Sequence, residues 1–80
     1  MFFKKKGNEI TYTVTVNGMM CGMCEAHVND IIRKNFDVKK VTSSHLKNRT
    51  IIVSKEELNE DAIKQSIQSM GYEVKDIKRS

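Results

Sequence analysis

The feature that most constrains the fold of this chain is a switch in apolar spacing near Gly18. Over residues 10–16 every second residue is apolar and the residues between are threonines, which is typical of a half-buried strand. Over residues 24–36 the spacing becomes three or four residues, which indicates an amphipathic helix with Glu25 and Asn29 on its outer face. Residues 19–23 follow neither period, so we expect them to form a loop.

The middle of the chain predicts a β-hairpin. Residues 38–44 contain two spaced valines and predict one strand, and the β-branched residues 50–53 predict its partner. Residues 47–49 form the candidate turn between them, in which Asn48 tolerates a left-handed backbone conformation.

The last third predicts a helix followed by a short strand over residues 72–78. Asn59 is a natural N-cap, and Gly71 is a natural C-cap because glycine adopts a left-handed conformation without steric cost. The stripe between the two caps that we expect to be buried consists of Ala62, Ile63, Ile67 and Met70.

The predicted order is therefore strand, helix, strand, strand, helix, strand. This order corresponds to the ferredoxin-like βαββαβ fold of the α+β class, in which a four-stranded antiparallel sheet carries both helices on one face. We expect one domain over residues 10–78, preceded by a flexible basic tail over residues 1–9. Eighty residues leave no room for a second core.

Composition and charge exclude several classes of function. No apolar run approaches the roughly 20 residues that span a membrane, and the basic N-terminus lacks an apolar signal region. We therefore expect a cytoplasmic protein that meets a membrane only through a partner. The net charge of +4 is not gathered into a basic aromatic motif, so nucleic acid is not expected as a partner.

The chemistry of the chain is concentrated in Cys21 and Cys24, at the point where the loop enters the first helix. In a reducing cytosol, two cysteines at this spacing form a metal or redox site more often than a disulfide. Amides at a helix start favour a thiolate over a thiol, and Gly18 and Gly22 allow the backbone to bring the sulfurs together. Soft thiolates prefer Cu(I) and similar ions.

The number of available ligands limits the kind of metal site. A structural zinc site usually needs four ligands, so it would have to recruit both His27 and His45. We expect His45 to be an ordinary turn residue, remote from the cysteine loop. Two sulfurs are sufficient for near-linear Cu(I), Ag(I) or Hg(II), and a dimer that shares four sulfurs would suit Zn(II) or Cd(II). Two ligands also leave the ion open to an incoming thiolate.

Other interpretations of the loop stay open. Met20 and Met23 flank the cysteines and are able to donate thioether sulfur, although such methionines more often serve as flexible apolar fillers. His27 is able to act as a third ligand or as a bridge in a metal-linked dimer, or simply to be solvated. A small dithiol oxidoreductase is an alternative of another class, but thioredoxin-like proteins carry a cis-proline beside the dithiol and this chain has no proline.

The run Gly-Met-x-Cys-x-x-Cys after a first strand, in this topology, resembles the heavy-metal-associated domain family. The resemblance is carried by Gly18, Met19, Cys21 and Cys24, and it extends to Gly71-Tyr72 near the end of the chain. It departs from the family over residues 43–45, Ser-Ser-His, which stand in place of apolar alternation.

This resemblance implies a bacterial type of soluble copper chaperone rather than an enzyme. Cys21 and Cys24 would be the metal ligands, Met19 would anchor the loop in the core, and Tyr72 would lie beside the site. The implied partner is the metal-binding domain of a copper-transporting P-type ATPase or another thiolate-bearing acceptor. The alternative is that the chain is itself the N-terminal module of such a transporter. We expect a monomer, or a dimer bridged by metal.

Overall fold

The computed structural model describes residues 9–80 and confirms the predicted order of elements. The predicted basic tail lies, except for Glu9, outside the described residues. The elements are β1 (Ile10–Asn17), α1 (Gly22–Asn35), β2 (Lys40–Ser44), β3 (Arg49–Ser54), α2 (Glu60–Gln68) and β4 (Glu73–Arg79). The strand β2 begins two residues later than predicted, and β3 extends one residue further at each end.

The four strands form one antiparallel sheet in the order β2-β3-β1-β4. The central strand β1 pairs Thr15 with Arg49 at the start of β3, and Asn17 with Glu73 at the start of β4. Because both neighbours run antiparallel to β1, the β2–β3 turn and the α2–β4 turn lie at the end where β1 enters the cysteine loop. Three connections therefore meet at one end of the domain.

The core lies between the sheet and the two helices. The inward positions Tyr12, Val14 and Val16 of β1 are fully buried, as their alternation predicts. They form one cluster with apolar side chains from both helices, including Val28 of α1 and Ile63 of α2. Each such side chain stabilises the fold by about 1.5–3 kcal/mol relative to exposure.

The local predictions for the turns and caps mostly agree with the structure. Asn59 caps α2, and its side chain accepts a hydrogen bond from the Ala62 amide at 3.1 Å. Asn48 has a φ of 53°, in the left-handed region as predicted. Gly71 also has a positive φ, 95°, although it lies two residues beyond Ser69, which is the C-cap.

The prediction that Met70 is part of the buried stripe is wrong. Its side chain is 38% exposed, whereas Ile63 and Ile67 are fully buried. The helix α2 ends at Gln68, so Met70 lies in the following turn and no longer continues the helical spacing. The sequence did not predict that α2 ends at Gln68, because Gly71 suggested a helix end further along the chain.

We expect Tyr12→Phe to destabilise the apo protein by about 1–3 kcal/mol, because it leaves buried partners without a hydrogen bond. The Tyr12 hydroxyl donates to the Leu58 carbonyl at 3.2 Å and accepts from the Leu58 amide at 2.8 Å. Urea unfolding followed by circular dichroism measures the effect. An unchanged unfolding midpoint would show that this contact does not hold the loop before α2 to the sheet.

Candidate metal centre

The loop between β1 and α1 is fixed by its first two residues. Gly18 has a φ of 105°, and a Cβ built on it would lie 3.3 Å from Cδ1 of Tyr72. Glycine therefore meets both the left-handed backbone and the close approach of the Tyr72 ring. Met19 is buried in the core, so it attaches the loop to the domain directly before the cysteines.

The two cysteines lie at the start of α1 in different surroundings. Cys21 is the N-cap residue and is exposed, whereas Cys24 lies in the first turn and is partly buried against the core. The Cys21 carbonyl accepts hydrogen bonds from the amides of Cys24 at 3.1 Å and Glu25 at 3.3 Å. Both thiols are free. The two cysteines are therefore about one helical turn apart at the start of α1. The helix dipole favours negative charge at this end of the helix.

Hydrogen bonds favour the thiolate form of Cys24. A backbone hydrogen bond from Met20 and a side-chain hydrogen bond from Tyr72 lower the pKa of the Cys24 thiol, and a backbone contact with Cys21 adds to them. The same contact raises the pKa of Tyr72 to about 12, because its phenol donates to Cys24 and would lose that bond on ionisation. Tyr72 thus stays a donor at neutral pH.

The remaining candidate ligands are exposed side chains. His27 is exposed on α1, and Met20 and Met23 are 80% and 69% exposed. Within residues 9–80, no group of three or more His, Cys, Asp and Glu side chains is arranged to hold a metal ion. The described residues therefore offer two sulfurs at the surface rather than a closed four-ligand site.

His45 lies in the β2–β3 turn as predicted, but the prediction that it is remote from the cysteine loop is wrong. The β2–β3 turn lies at the cysteine end, where the Val16 amide donates to the Asn48 carbonyl at 2.9 Å. His45 donates to Oε2 of Glu25 from its backbone amide at 2.8 Å, and its ring Nδ1 lies 2.6 Å from the same oxygen. Antiparallel pairing of β1 with β3 already implies this position, but sequence spacing alone does not show it.

The outer-face positions predicted for Glu25 and Asn29 are also wrong. Both are partly buried between α1 and the hairpin. Ser43 donates to Oδ1 of Asn29 at 2.6 Å and shares a 2.8 Å hydrogen bond with Thr50 across the hairpin. The polar run over residues 43–45 was the sequence signal for this contact, because polar residues in a buried strand need polar partners.

These features define a small ferredoxin-like domain that presents a pair of free thiols at the start of its first helix. The family model of the heavy-metal-associated domain matches residues 13–73. The chain belongs to this family, and the fold and the sequence resemblance are thereby confirmed.

Solved structures with the same fold include several metal-binding domains. A copper-binding domain from HMA7, a P-type ATPase, is 28% identical; the match covers 82% of this chain and 90% of that one, with a TM-score of 0.73. CopZ metallochaperone is 23% identical over 80% of this chain and 97% of that one, with a TM-score of 0.70. The N-terminal domain of ZntA in its Zn(II) form is 20% identical over 82% and 89%, with a TM-score of 0.74.

No curated protein matches the sequence significantly. Within residues 9–80, no helix has the length and apolarity needed to cross a bilayer.

We expect Tyr72→Phe to shift the alkylation of Cys24 by iodoacetamide to higher pH. Alkylation follows the thiolate, and the lost phenol donor no longer holds the pKa of Cys24 down, while the Met20 contact remains. Mass spectrometry of the apo protein across a pH series measures the rate at each cysteine. Tyr12→Phe is the matched control, because it removes a phenol hydroxyl that contacts Leu58 instead. An unchanged profile in Tyr72→Phe would contradict the assigned contact.

Proposed function

We propose that Cys21 and Cys24 bind one soft metal ion, Cu(I), and that the protein passes it to a thiolate-bearing acceptor. The observation that carries this proposal is an accessible pair of thiols at a helix start, with a pKa of Cys24 below its ordinary value. Thiolates are the preferred ligands of Cu(I), and two of them are enough for near-linear coordination. Ag(I) and Hg(II) share this chemistry, and Zn(II) or Cd(II) would require further ligands.

Transfer would proceed by ligand exchange with no change of oxidation state. A thiolate of the acceptor attacks the bound ion and forms a three-sulfur intermediate, and one of the original sulfurs then leaves as a thiolate. The exposed Cys21 is the sulfur at which exchange begins, because Cys24 is partly buried and held by Tyr72. The reaction needs reduced thiols, which fits a protein of the cytosol.

The surface around the loop supports a protein partner. The large apolar side chains that are exposed within residues 9–80 are Met20, Met23, Leu46 and Met70, and Leu46 is 84% exposed. They lie on the loop, the first helical turn and the two turns that meet at the same end of the domain. Exposed apolar groups gathered in this way are typical of a docking surface. The occupant we propose is the metal-binding domain of a copper-transporting P-type ATPase.

A second candidate is that this chain is itself the metal-binding module of such a transporter. The similarity that favours it is the 28% identity with a copper-binding domain of a P-type ATPase, compared with 23% for CopZ metallochaperone. The open reading frame that encodes the chain separates the two candidates. Continuation into hydrophobic membrane spans would support the module, and its absence would support the free chaperone.

We expect the reduced protein to retain about one Cu(I) ion in anaerobic dialysis, as two thiolates predict. Cys21→Ser and Cys24→Ser should each lose this ion, because a single sulfur cannot supply near-linear coordination. His27→Ala is the matched control and should bind as the unchanged protein does, since His27 is exposed on α1. Retention by both serine variants, or preference for Zn(II) in metal competition, would contradict the proposal.

We expect Leu46→Ser to slow transfer of Cu(I) to a purified acceptor domain without weakening Cu(I) binding. Leu46 is exposed in the β2–β3 turn and belongs to the apolar surface, but its side chain is not a metal ligand. Stopped-flow measurement of transfer and chelator competition separate the two effects. Asn35→Ser, at the opposite end of α1, is the control. Equal transfer rates for both variants would show that the apolar surface does not dock the acceptor.

A further inference from the structure

We infer that Glu25 and His45 form a clasp that positions Cys24 for metal binding, an inference that rests on the proposed function. The clasp consists of the Glu25 carboxylate on α1 and the backbone amide and imidazole of His45 on the β2–β3 turn. It joins the helical turn that carries Cys24 to the turn between β2 and β3. Its role is to fix the second sulfur, and neither residue touches the ion.

The geometry of the clasp is specific. A single oxygen, Oε2 of Glu25, meets the His45 amide nitrogen at 2.8 Å and the ring Nδ1 at 2.6 Å. An ionised carboxylate only accepts hydrogen bonds, so Nδ1 carries the proton in this contact. Both side chains are partly buried, which protects the pair from full competition by water.

The first turn of α1 needs such a support. Cys21 is the N-cap residue, but its side chain makes no capping hydrogen bond. Gly22 and Met23 are exposed, and the first fully buried residue of the helix is Val28, about one turn further on. Cys24 itself packs only partly against the core, and helix ends that lack caps and have few buried contacts tend to fray. The clasp holds the turn at Glu25, the residue that follows Cys24.

A second polar contact lies one turn along the same interface. Asn29 is four residues after Glu25 on α1, and it accepts from Ser43, two residues before His45. This contact joins α1 to the β2–β3 hairpin one helical turn after the turn that carries Cys24. It provides an internal control, because Asn29→Ala loosens the same interface while Ser43 keeps its hydrogen bond to Thr50.

If the clasp positions Cys24, its removal should lower the affinity of the protein for the metal ion. Near-linear coordination requires both sulfurs at fixed places, and residues that orient ligands commonly change metal affinity by about 10–100-fold when removed. We therefore expect Glu25→Ala to weaken Cu(I) binding by about tenfold in competition with a Cu(I) chelator. His45→Ala should have a smaller effect, because the backbone amide of residue 45 still donates to Glu25.

A variant with no charge separates positioning from electrostatics. Glu25→Gln keeps an oxygen acceptor for His45 but removes the negative charge, so its affinity should stay closer to that of the unchanged protein than does Glu25→Ala. Asn29→Ala should lower the urea midpoint without a comparable loss of affinity. If Glu25→Gln and Glu25→Ala weaken binding equally, or Asn29→Ala weakens it as much, the positioning role is overturned.

The metal-free protein supplies an independent readout. Amide hydrogen exchange at positions 24 and 25, whose amides donate to the Cys21 carbonyl, should accelerate in Glu25→Ala and not in Asn29→Ala, since the first contact holds the first turn and the second does not. Unchanged exchange in Glu25→Ala would overturn the clasp whatever the metal results are. Failure of the unchanged protein to bind Cu(I), with exchange altered as expected, would instead overturn the proposed function and leave the clasp as a structural contact.

Discussion

Antiparallel pairing on both sides of β1 is the constraint on which the rest of the structure depends. It places the start of β3 and the start of β4 beside the end of β1. The cysteine loop, the β2–β3 turn and the α2–β4 turn must then share one end of a domain that consists of two layers, the sheet and the helices. Residues distant in sequence from the cysteines, such as His45 and Tyr72, reach the thiols or their helical turn for this reason.

The thiols receive their chemistry from the backbone as much as from side chains. A loop that begins with Gly18 and the buried Met19 delivers Cys21 to the N-cap of α1 and Cys24 to its first turn. There the Met20 backbone and the Tyr72 phenol donate to Cys24 and favour its thiolate. Met19 anchors one end of the loop in the core, while the cysteine end is open to solvent, and this combination suits binding followed by release.

Some parts of this structure are predictable from the sequence and others are not, because apolar spacing encodes burial but not the contacts between elements. Alternation in β1 and helical spacing in α1 encode burial directly, so the order of elements and the core were predictable. The place of the cysteines was predictable because the strand period ends before them and the helical period begins at Cys24, which puts them where the loop enters α1. Contacts between elements were not predictable from the sequence. Apolar spacing shows on which face of a helix or strand a residue lies, but it does not show which other element packs against that face. Glu25 and His45 each fit a solvated position until the sheet order brings them together.

The two sulfurs are held unequally, and this asymmetry links the fold to the proposed transfer. Cys24 has three neighbours that restrain it: the core, the Tyr72 phenol and, through Glu25, the β2–β3 turn. Cys21 is exposed and its side chain caps nothing. A pair restrained equally on both sides would either hold its ion against exchange or fail to orient it. With one sulfur fixed and the other accessible, the ion keeps an anchor on this domain while an incoming thiolate replaces its second ligand.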